Sequence, residues 1–268
     1  MNATADEPKQ ETYEINTTLM ETTFRIHGPS TTNKAQISHG TAFLMGKPTV
    51  ENRDKAYYVL ISAAHVFDDI AGDLATLTLR TKQADGSYAQ VPFNIQLRTA
   101  GAPLYVRHPE VDVAALYVSM PNNLSFKLLP LDLLSSDEWL TRFEIHPGDE
   151  LLCLGFPLFA SSPSGFPILR SGKIASYPIV PTKQHKNILF DFRVFQGNSG
   201  GPVYFVDRNR TYGGSTHLGE TIQFVVGLVT SQLNATYYDN RELQVAAIIP
   251  ASFIVETLNL LPPSSPYK

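Results

Sequence analysis

The sequence predicts an all-β protein of sandwich or barrel architecture that ends in one short helix. Short apolar runs recur along the chain, turn residues separate them, and long helical periodicity is nearly absent. Runs rich in Val, Ile, Leu, Tyr and Phe at this spacing are typical of strands in sandwiches and barrels. They lie at residues 42–45, 56–61, 75–80, 91–98, 113–118, 151–156, 173–179, 188–193, 201–206, 222–230 and 244–249.

The segment 250–260 is the best helical candidate. Pro250 stands at its start, where proline is tolerated because the first N–H groups of a helix have no intrahelical partner. Pro262 and Pro263 follow its end, and proline cannot continue a helix. We therefore expect a terminal helix over these residues.

The chain divides into a tail and two lobes. Residues 1–20 are rich in Asn, Thr and Glu and predict a polar, disordered tail. The full length of 268 residues is enough to bury a substantial core. A Pro- and Ser-rich stretch at 129–147 predicts the seam between an N-terminal lobe at 21–135 and a C-terminal lobe, with the helix, at 136–268.

Composition and charge argue against several function classes. The net charge is −4 and Lys and Arg are scattered, so no nucleic-acid partner is expected. The longest apolar stretch, 57–67, contains Ser62 and His65 and is too short to span a bilayer, so no membrane partner is expected. Cys153 is the single cysteine, which excludes an intrachain disulfide, and no secretory signal is visible. These features favour a cytoplasmic protein, with a secreted or periplasmic one as the alternative.

The segment QGNSGGP at 196–202 is the strongest chemical signal. Amide hydrolysis requires an exposed serine hydroxyl with backbone N–H groups beside it that stabilise the oxyanion. Gly197 lets the backbone turn so that its N–H can point at that oxygen, and Gly200 and Gly201 leave room for a substrate chain. Ser199 is therefore a candidate nucleophile. The alternative is a Gly-rich hairpin in which the serine only caps a turn.

Two upstream segments supply candidate partners for this serine. His65 follows an apolar strand and the small residues 62–64, which allow its imidazole to approach a facing lobe. Asp112 stands at the mouth of another apolar strand, where an unpaired carboxylate is costly. A His Nδ1–H would satisfy that carboxylate and fix the tautomer needed for base catalysis. A structural histidine and an aspartate that caps backbone amides are the alternatives.

The order His65, Asp112, Ser199 and the surrounding segments resemble the trypsin-like serine peptidases, specifically their disulfide-free bacterial-type members. The resemblance covers roughly residues 38–260. Its segments are GTAF at 40–43, AAH at 63–65, HPEVDVAAL at 108–116, GDELLCLGFP at 148–157, LRSGKIAS at 169–176, GNSGGP at 197–202, VGLV at 226–229 and AIIP at 247–250. The resemblance implies two six-stranded-type antiparallel β-barrels packed face to face.

The resemblance also implies a serine endopeptidase that hydrolyses a protein or peptide substrate through an acyl-enzyme. Ser199 would be the nucleophile, His65 the general base and then acid, and Asp112 the group that orients His65. The N–H groups of Gly197 and Ser199 would form the oxyanion hole. The substrate pocket would be formed by Arg193, Val194, Thr230, Ser231 and Gln232. No cofactor or metal is needed, and the oligomeric state stays open.

Two positions depart from the pattern of the family. Asn198 stands where secreted animal members have an aspartate that pairs with a new N-terminal amine after proteolytic activation. No cleavable Ile-Val-Gly-Gly-like start is visible. We therefore expect the active site to assemble without zymogen cleavage, or under the control of a partner. Arg193 replaces the acid expected of a protease that cuts after Lys or Arg.

The sequence allows two other interpretations of the function of the chain. A catalytically silent trypsin-like barrel would act as a protein-binding module. The G-x-S-x-G pattern at 197–201 also fits the nucleophile elbow of α/β-hydrolase esterases, with Asp207 and His217 downstream. That fold needs a helix directly after the serine, and Pro202 disfavours one.

The remaining histidines give weaker signals. His108 lies close to Asp112 and competes with His65 as a candidate base, but its place on the strand favours a packing role. The histidines lack HExxH or similar spacing and Cys153 is solitary, so no metal site is expected.

Overall fold

The structure, a computed structural model, describes residues 14–49, 52, 55–124, 126, 128–235 and 241–267. It is mostly β, with 47% of residues in strands and 15% in helices, and this confirms the predicted all-β class. Within these residues no helix is long and apolar enough to cross a membrane.

The N-terminal lobe is built on one large sheet. Its strands are β1 Thr23–Pro29, β2 Ile37–Pro48, β3 Ala56–Ser62, β4 Leu74–Lys82, β5 Tyr88–Gln96, β6 Arg98–Thr99, β7 Ala102–Pro103, β8 Val106–Arg107, β9 Ala114–Tyr117 and β10 Leu129–Pro130. Eight strands pair in the order β5-β4-β1-β2-β3-β9-β8, with β10 added in parallel to β2, while β6 and β7 form a separate hairpin. Hydrogen bonds between described residues do not join β5 to β8, so the sheet stays open. Two helices, α1 (Ile15–Thr22) and α2 (Ala64–Asp68), accompany it.

The C-terminal lobe is a closed antiparallel barrel. Its strands are β11 Glu150–Gly155, β12 Ile168–Ile174, β13 Ile188–Asp191, β14 Pro202–Tyr212, β15 Ser215–Ala235 and β16 Arg241–Pro250. They close in the order β11-β12-β13-β16-β15-β14. Helix α3 (Asp137–Arg142) precedes the barrel and α4 (Ala251–Leu260) follows it, and short 3-10 turns lie at Leu131–Leu133 and Pro157–Phe159.

Helix α4 confirms the predicted terminal helix. Pro250 is its N-cap residue and Leu261 its C-cap residue. Lys47 on β2 donates from Nζ to the carbonyl of Leu258 at 3.0 Å, which satisfies one of the carbonyls that a helix end leaves without a partner. This contact ties the last helix of the chain to the N-terminal lobe.

Helix α1 differs from the predicted tail at 1–20. Glu14 caps the helix by accepting a hydrogen bond from the N–H of Thr17 at 2.8 Å. Ile15 and Leu19 are four residues apart, so they share one helical face, and both are fully buried in the core of the N-terminal lobe. These two apolar residues pack helix α1 against the N-terminal lobe, although the surrounding segment is polar. Residues 1–13 of the predicted tail lie outside the described residues.

The two lobes share an apolar interface. One core cluster fills the N-terminal lobe and contacts side chains of α4. The same cluster includes residues of the C-terminal lobe, namely Leu154, Tyr204, Val225, Leu228 and Ile249. A second cluster, around Phe190 and Phe224, fills the closed barrel. Because buried apolar contacts join the lobes, the loops at the edge of their interface hold fixed relative positions.

The guanidinium of Arg210 on β14 is a buried charge that holds the segment after α3. It donates to the two carboxylate oxygens of Asp149 at 2.8 and 3.1 Å and to the carbonyls of Phe143 and Glu144 at 2.6 Å each. Breaking a buried ion pair by removing one partner costs about 3–5 kcal/mol. We expect Arg210→Met to lower the free energy of unfolding by that amount in urea titrations. Arg208→Met, at an exposed position of the same strand, is the control, and equal stability of the two variants would contradict this role.

Candidate active site

Two neighbouring strands bring His65 and Asp112 together. His65 lies at the start of α2, directly after β3, and Asp112 lies just before β9. Strands β3 and β9 are antiparallel partners with Ser62 opposite Ala114, so the end of one strand meets the start of the other. Oδ2 of Asp112 lies 2.6 Å from Nδ1 of His65, and Oδ1 accepts from the backbone N–H of His65 at 2.9 Å. The carboxylate therefore both caps a backbone amide and orients the imidazole.

The charges of the pair are coupled. Burial raises the pKa of Asp112, but hydrogen bonds from His65 and Thr230 and the charge of His65 outweigh it and hold the pKa at about 2. Burial lowers the pKa of His65, but the hydrogen bond and charge of Asp112, with the charges of Asp69 and Asp68, raise it above its ordinary value. The carboxylate is ionised at neutral pH, and the pKa of the imidazole is higher than that of an ordinary histidine.

Ser199 lies on the turn before β14 and is held on two sides. Its carbonyl accepts from the N–H of Thr41 on β2 at 2.9 Å, and its hydroxyl donates to the carbonyl of Thr230 on β15 at 3.1 Å. The hydroxyl of Thr230 donates to Oδ2 of Asp112 at 2.6 Å. Thr230 thus contacts both Ser199 and Asp112, which brings all three predicted residues to one edge of the lobe interface. No hydrogen bond joins the Ser199 hydroxyl to His65 in the described part of the chain.

The turn that presents Ser199 requires glycine. Gly197 has φ +97°, and a Cβ there would lie 2.3 Å from the carbonyl oxygen of Phe156. Gly200 has φ +84°, and a Cβ there would lie 2.1 Å from the carbonyl oxygen of Thr41. Both distances are far below van der Waals contact, so neither position accepts a side chain without movement of the backbone.

Two backbone donors of this turn are free. The N–H groups of Gly197 and Ser199 donate to no acceptor among the described residues. The carbonyl of Gln196 accepts from the N–H of Leu158 at 2.8 Å, and in a trans peptide this carbonyl points away from the N–H of Gly197. Two unpaired donors next to a serine hydroxyl can stabilise an oxyanion.

The predicted pocket residues differ in their exposure to solvent. Thr230 is buried, Val194 and Gln232 are half-buried, and Arg193 and Ser231 are exposed. The guanidinium of Arg193 lies 4.9 Å from the ring centroid of Phe195. The side-chain N–H group of Gln232 is buried and has no hydrogen-bond partner within the described part of the chain.

Three residues of the site have contacts that the sequence did not predict. Thr41 donates from Oγ1 to the carbonyl of Gly197 at 2.6 Å and fixes the glycine turn. Thr230, predicted only as a pocket wall, also holds the carboxylate of Asp112. Arg170 on β12 donates to the carbonyl of Arg193 at 2.7 Å. The segment 40–43 was a visible signal for Thr41, but no local pattern shows contacts across the two lobes.

The other candidate residues lie in different surroundings. His108 is buried, its Nε2 lies 3.2 Å from Glu256 and its Nδ1 accepts from the N–H of Glu110 at 3.1 Å, so both ring nitrogens have partners. Asp207 and His217 lie on the β14–β15 hairpin, and Ser199 is followed by a strand. The esterase interpretation is therefore wrong, because its fold requires a helix there.

Cysteine and metal chemistry find little support at this site. Burial raises the pKa of the Cys153 thiol to about 12, so this group is not a nucleophile at neutral pH. Among the described residues, no group of three His, Cys, Asp or Glu side chains is placed to hold a metal ion.

Comparisons with known proteins give a structural relative only. No protein-family model matches the chain, and no curated protein matches it. Among solved structures, the chain is similar to that of Rv3671c from M. tuberculosis H37Rv, a serine-to-alanine mutant in an inactive form. The alignment covers 95% of this chain and 93% of that chain, with 17% identity and a TM-score of 0.50. The chain therefore shares the overall fold of this structure.

Proposed function

We propose that the protein is a serine endopeptidase that cleaves peptide bonds through an acyl-enzyme intermediate. One observation supports this most: a carboxylate–imidazole pair at 2.6 Å lies beside a serine on a glycine turn with two free N–H groups. This set of groups supplies a nucleophile, a base with a fixed tautomer and an oxyanion site, which are the requirements of acyl transfer by serine.

The reaction proceeds in two halves. Ser199 attacks the scissile carbonyl while Nε2 of His65 takes its proton, and the N–H groups of Gly197 and Ser199 stabilise the oxyanion. The imidazolium then gives that proton to the leaving amine, which leaves the acyl group on Ser199. Water attacks this ester through the same groups and releases the acid. Asp112 stays ionised and stabilises the imidazolium.

Attack requires one change of hydrogen bonding. The Ser199 hydroxyl donates to the carbonyl of Thr230 in the free protein, and it must donate to His65 when substrate binds. Catalytic hydrogen bonds are often poorly formed in free enzymes and tighten in the substrate complex. The edge of β15 at Thr230–Gln232 would pair with the backbone of the acyl part of the substrate.

The oxyanion turn supports activity without zymogen cleavage. Asn198 is buried, its N–H donates to the carbonyl of Phe195 at 3.0 Å, and its carbonyl accepts from Gly201 at 2.9 Å. These backbone bonds close the turn, and none of the described residues places a charged group against the side chain of Asn198. We propose that the site is assembled in the chain as synthesised.

Labelling with a fluorophosphonate tests the proposal against a silent binding barrel. We expect the wild-type protein to form a covalent adduct on Ser199, detected by mass spectrometry of the tryptic peptide. Ser199→Ala should form none. A folded wild-type protein that does not react would favour the protein-binding module instead.

The rate of peptide cleavage is expected to rise with pH as His65 loses its proton, because only the neutral imidazole can accept the proton of Ser199. The pKa of His65 is raised above 6.5, so the midpoint of the kcat/KM profile should lie above that pH. Asp112, with a pKa of about 2, does not titrate in this range. The measurement is kcat/KM between about pH 5 and 8, and a flat profile would exclude His65 as the base.

A further inference from the structure

A polar cavity of about 230 Å³ lies next to the candidate active site. Its walls are the turn between β1 and β2, the start of β2 at Ile37 and Ser38, the carboxylate-bearing residue Asp69, and Gln196. Gln196 directly precedes Gly197 of the oxyanion turn, and Asp69 is the C-cap residue of the helix that carries His65. The cavity therefore adjoins the reacting groups without containing them.

Asp69 brings an unpaired negative charge to this cavity. Its backbone is fixed, because its N–H donates to the carbonyl of His65 at 2.8 Å and its carbonyl accepts from Thr31 at 3.0 Å. Its carboxylate has no hydrogen bond or ion pair among the described residues. The neighbouring Asp68, in contrast, pairs with Arg107 at 2.9 Å. Among the described residues, no Lys or Arg lines the cavity.

The cavity lies across Ser199 from the strand that would hold the acyl part of a substrate. The Ser199 hydroxyl faces Thr230 of β15, whereas its carbonyl faces Thr41 of β2. A substrate whose acyl part pairs with β15 must therefore leave Ser199 along the start of β2. The residues after the scissile bond would pass Ser38 and Gln196, which line the cavity.

We propose that this cavity binds a lysine or arginine side chain within the first two residues after the scissile bond, with Asp69 as its ion partner. The proposal rests on the proposed peptidase function and names a substrate class for it. Hydroxyl and carbonyl oxygens of the β1–β2 turn accept the remaining N–H groups of the cation. An exposed ion pair of this kind is worth about a fivefold change in affinity at low salt.

Two peptides that differ only after the scissile bond test this specificity. Their acyl part is the best sequence from library profiling, and the two following residues are both lysine or both norleucine. We expect wild-type kcat/KM to be about fivefold higher for the lysine peptide. Asp69→Asn should bring the ratio of the two kcat/KM values close to one, whereas Asp132→Asn, at an exposed acid outside the cavity, should keep the ratio of the wild type.

The assay is run above the pKa of His65, because the charge of Asp69 contributes to that pKa. Equal kcat/KM for both peptides in the wild type, or a preference that survives in Asp69→Asn, would overturn the proposal. High salt should weaken a true preference, since exposed ion pairs are screened.

Binding separates failure of this proposal from failure of the peptidase function. Acetylated, fluorescent lysine and norleucine peptides are titrated into Ser199→Ala and into Ser199→Ala with Asp69→Asn, with anisotropy as the readout. An Asp69-dependent preference for lysine without cleavage by the wild type would keep the cation site and reject the peptidase. Cleavage by the wild type without an Asp69-dependent preference for lysine would keep the peptidase function and reject the cation site.

Discussion

Replacing Ser199 by alanine is expected to lower kcat for peptide hydrolysis by about 10⁶-fold, because the nucleophile of the acyl transfer is lost. The fold should survive, since the hydroxyl makes a single hydrogen bond, to the carbonyl of Thr230. The measurement is hydrolysis of a cleavable library peptide by the purified variant, with near-UV circular dichroism and thermal unfolding to confirm the native fold.

Ser171→Ala is the matched control for this variant. Ser171 is an exposed serine on β12 of the same lobe, and its loss should leave kcat unchanged. A fall of only a few-fold in Ser199→Ala would show that another group attacks the substrate. Contamination by a second protease is recognised by activity that survives equally in both variants.

Replacing Asp112 by asparagine is expected to lower kcat by about 10⁴-fold near neutral pH. The carboxylate accepts from Nδ1 of His65 and so leaves Nε2 free to take the proton of Ser199. An amide at this position can donate to Nδ1 and stabilise the opposite tautomer. The variant also removes the charge that raises the pKa of His65, so the remaining activity should have a lower pH midpoint.

Asp68→Asn tests whether the loss is specific to the paired carboxylate. Asp68 lies three residues after His65 on α2, and its carboxylate contacts Arg107 and Tyr105 instead of the imidazole. We expect a change of kcat below about threefold, since a half-buried charge that does not contact the imidazole has a small effect. Similar losses in Asp68→Asn and Asp112→Asn would indicate a general effect of charge on the site.

The sequence predicts much of this fold because periodicity is a local property. The apolar runs at 56–61 and 151–156 correspond to strands β3 and β11, and the prolines at 250 and 262 bracket helix α4. The sequence also identifies His65, Asp112 and Ser199, through their order in the chain and the glycine and apolar residues around them. The structure brings these three residues to one edge of the lobe interface. These features depend on neighbours in the chain, which a sequence displays directly.

The long β14–β15 hairpin was not predicted beyond residue 206. The stretch 207–220 is polar and turn-rich, so its hydropathy pattern does not indicate strands. The strands continue there because cross-strand pairs such as Thr211 with Thr216 stabilise the ribbon without apolar alternation. Pairing between strands, in contrast to burial, leaves little trace in a hydropathy pattern.

Contacts between the two lobes are the second feature of the structure that could not be predicted from the sequence. Thr230 lies more than a hundred residues from Asp112, and its hydroxyl contact depends on how the barrel packs against the first sheet. Thr41 fixes the glycine turn in the same way. Both residues are common in strands, so nothing in their local surroundings marks them. The sequence also does not distinguish Asp69 from the adjacent Asp68. Only the structure shows that Asp68 has an ion partner, whereas Asp69 has none among the described residues.

The proposed mechanism requires that Ser199, with His65 as base, forms an ester with the acyl part of the substrate. It is tested most directly by mixing the protein with a p-nitrophenyl ester, quenching in acid and measuring intact mass. We predict a mass increase of one acyl group on Ser199, a burst of p-nitrophenol of equal amount, and neither signal in Ser199→Ala or His65→Ala. Turnover without an adduct, or an adduct on another residue, would contradict the role of Ser199 as the nucleophile.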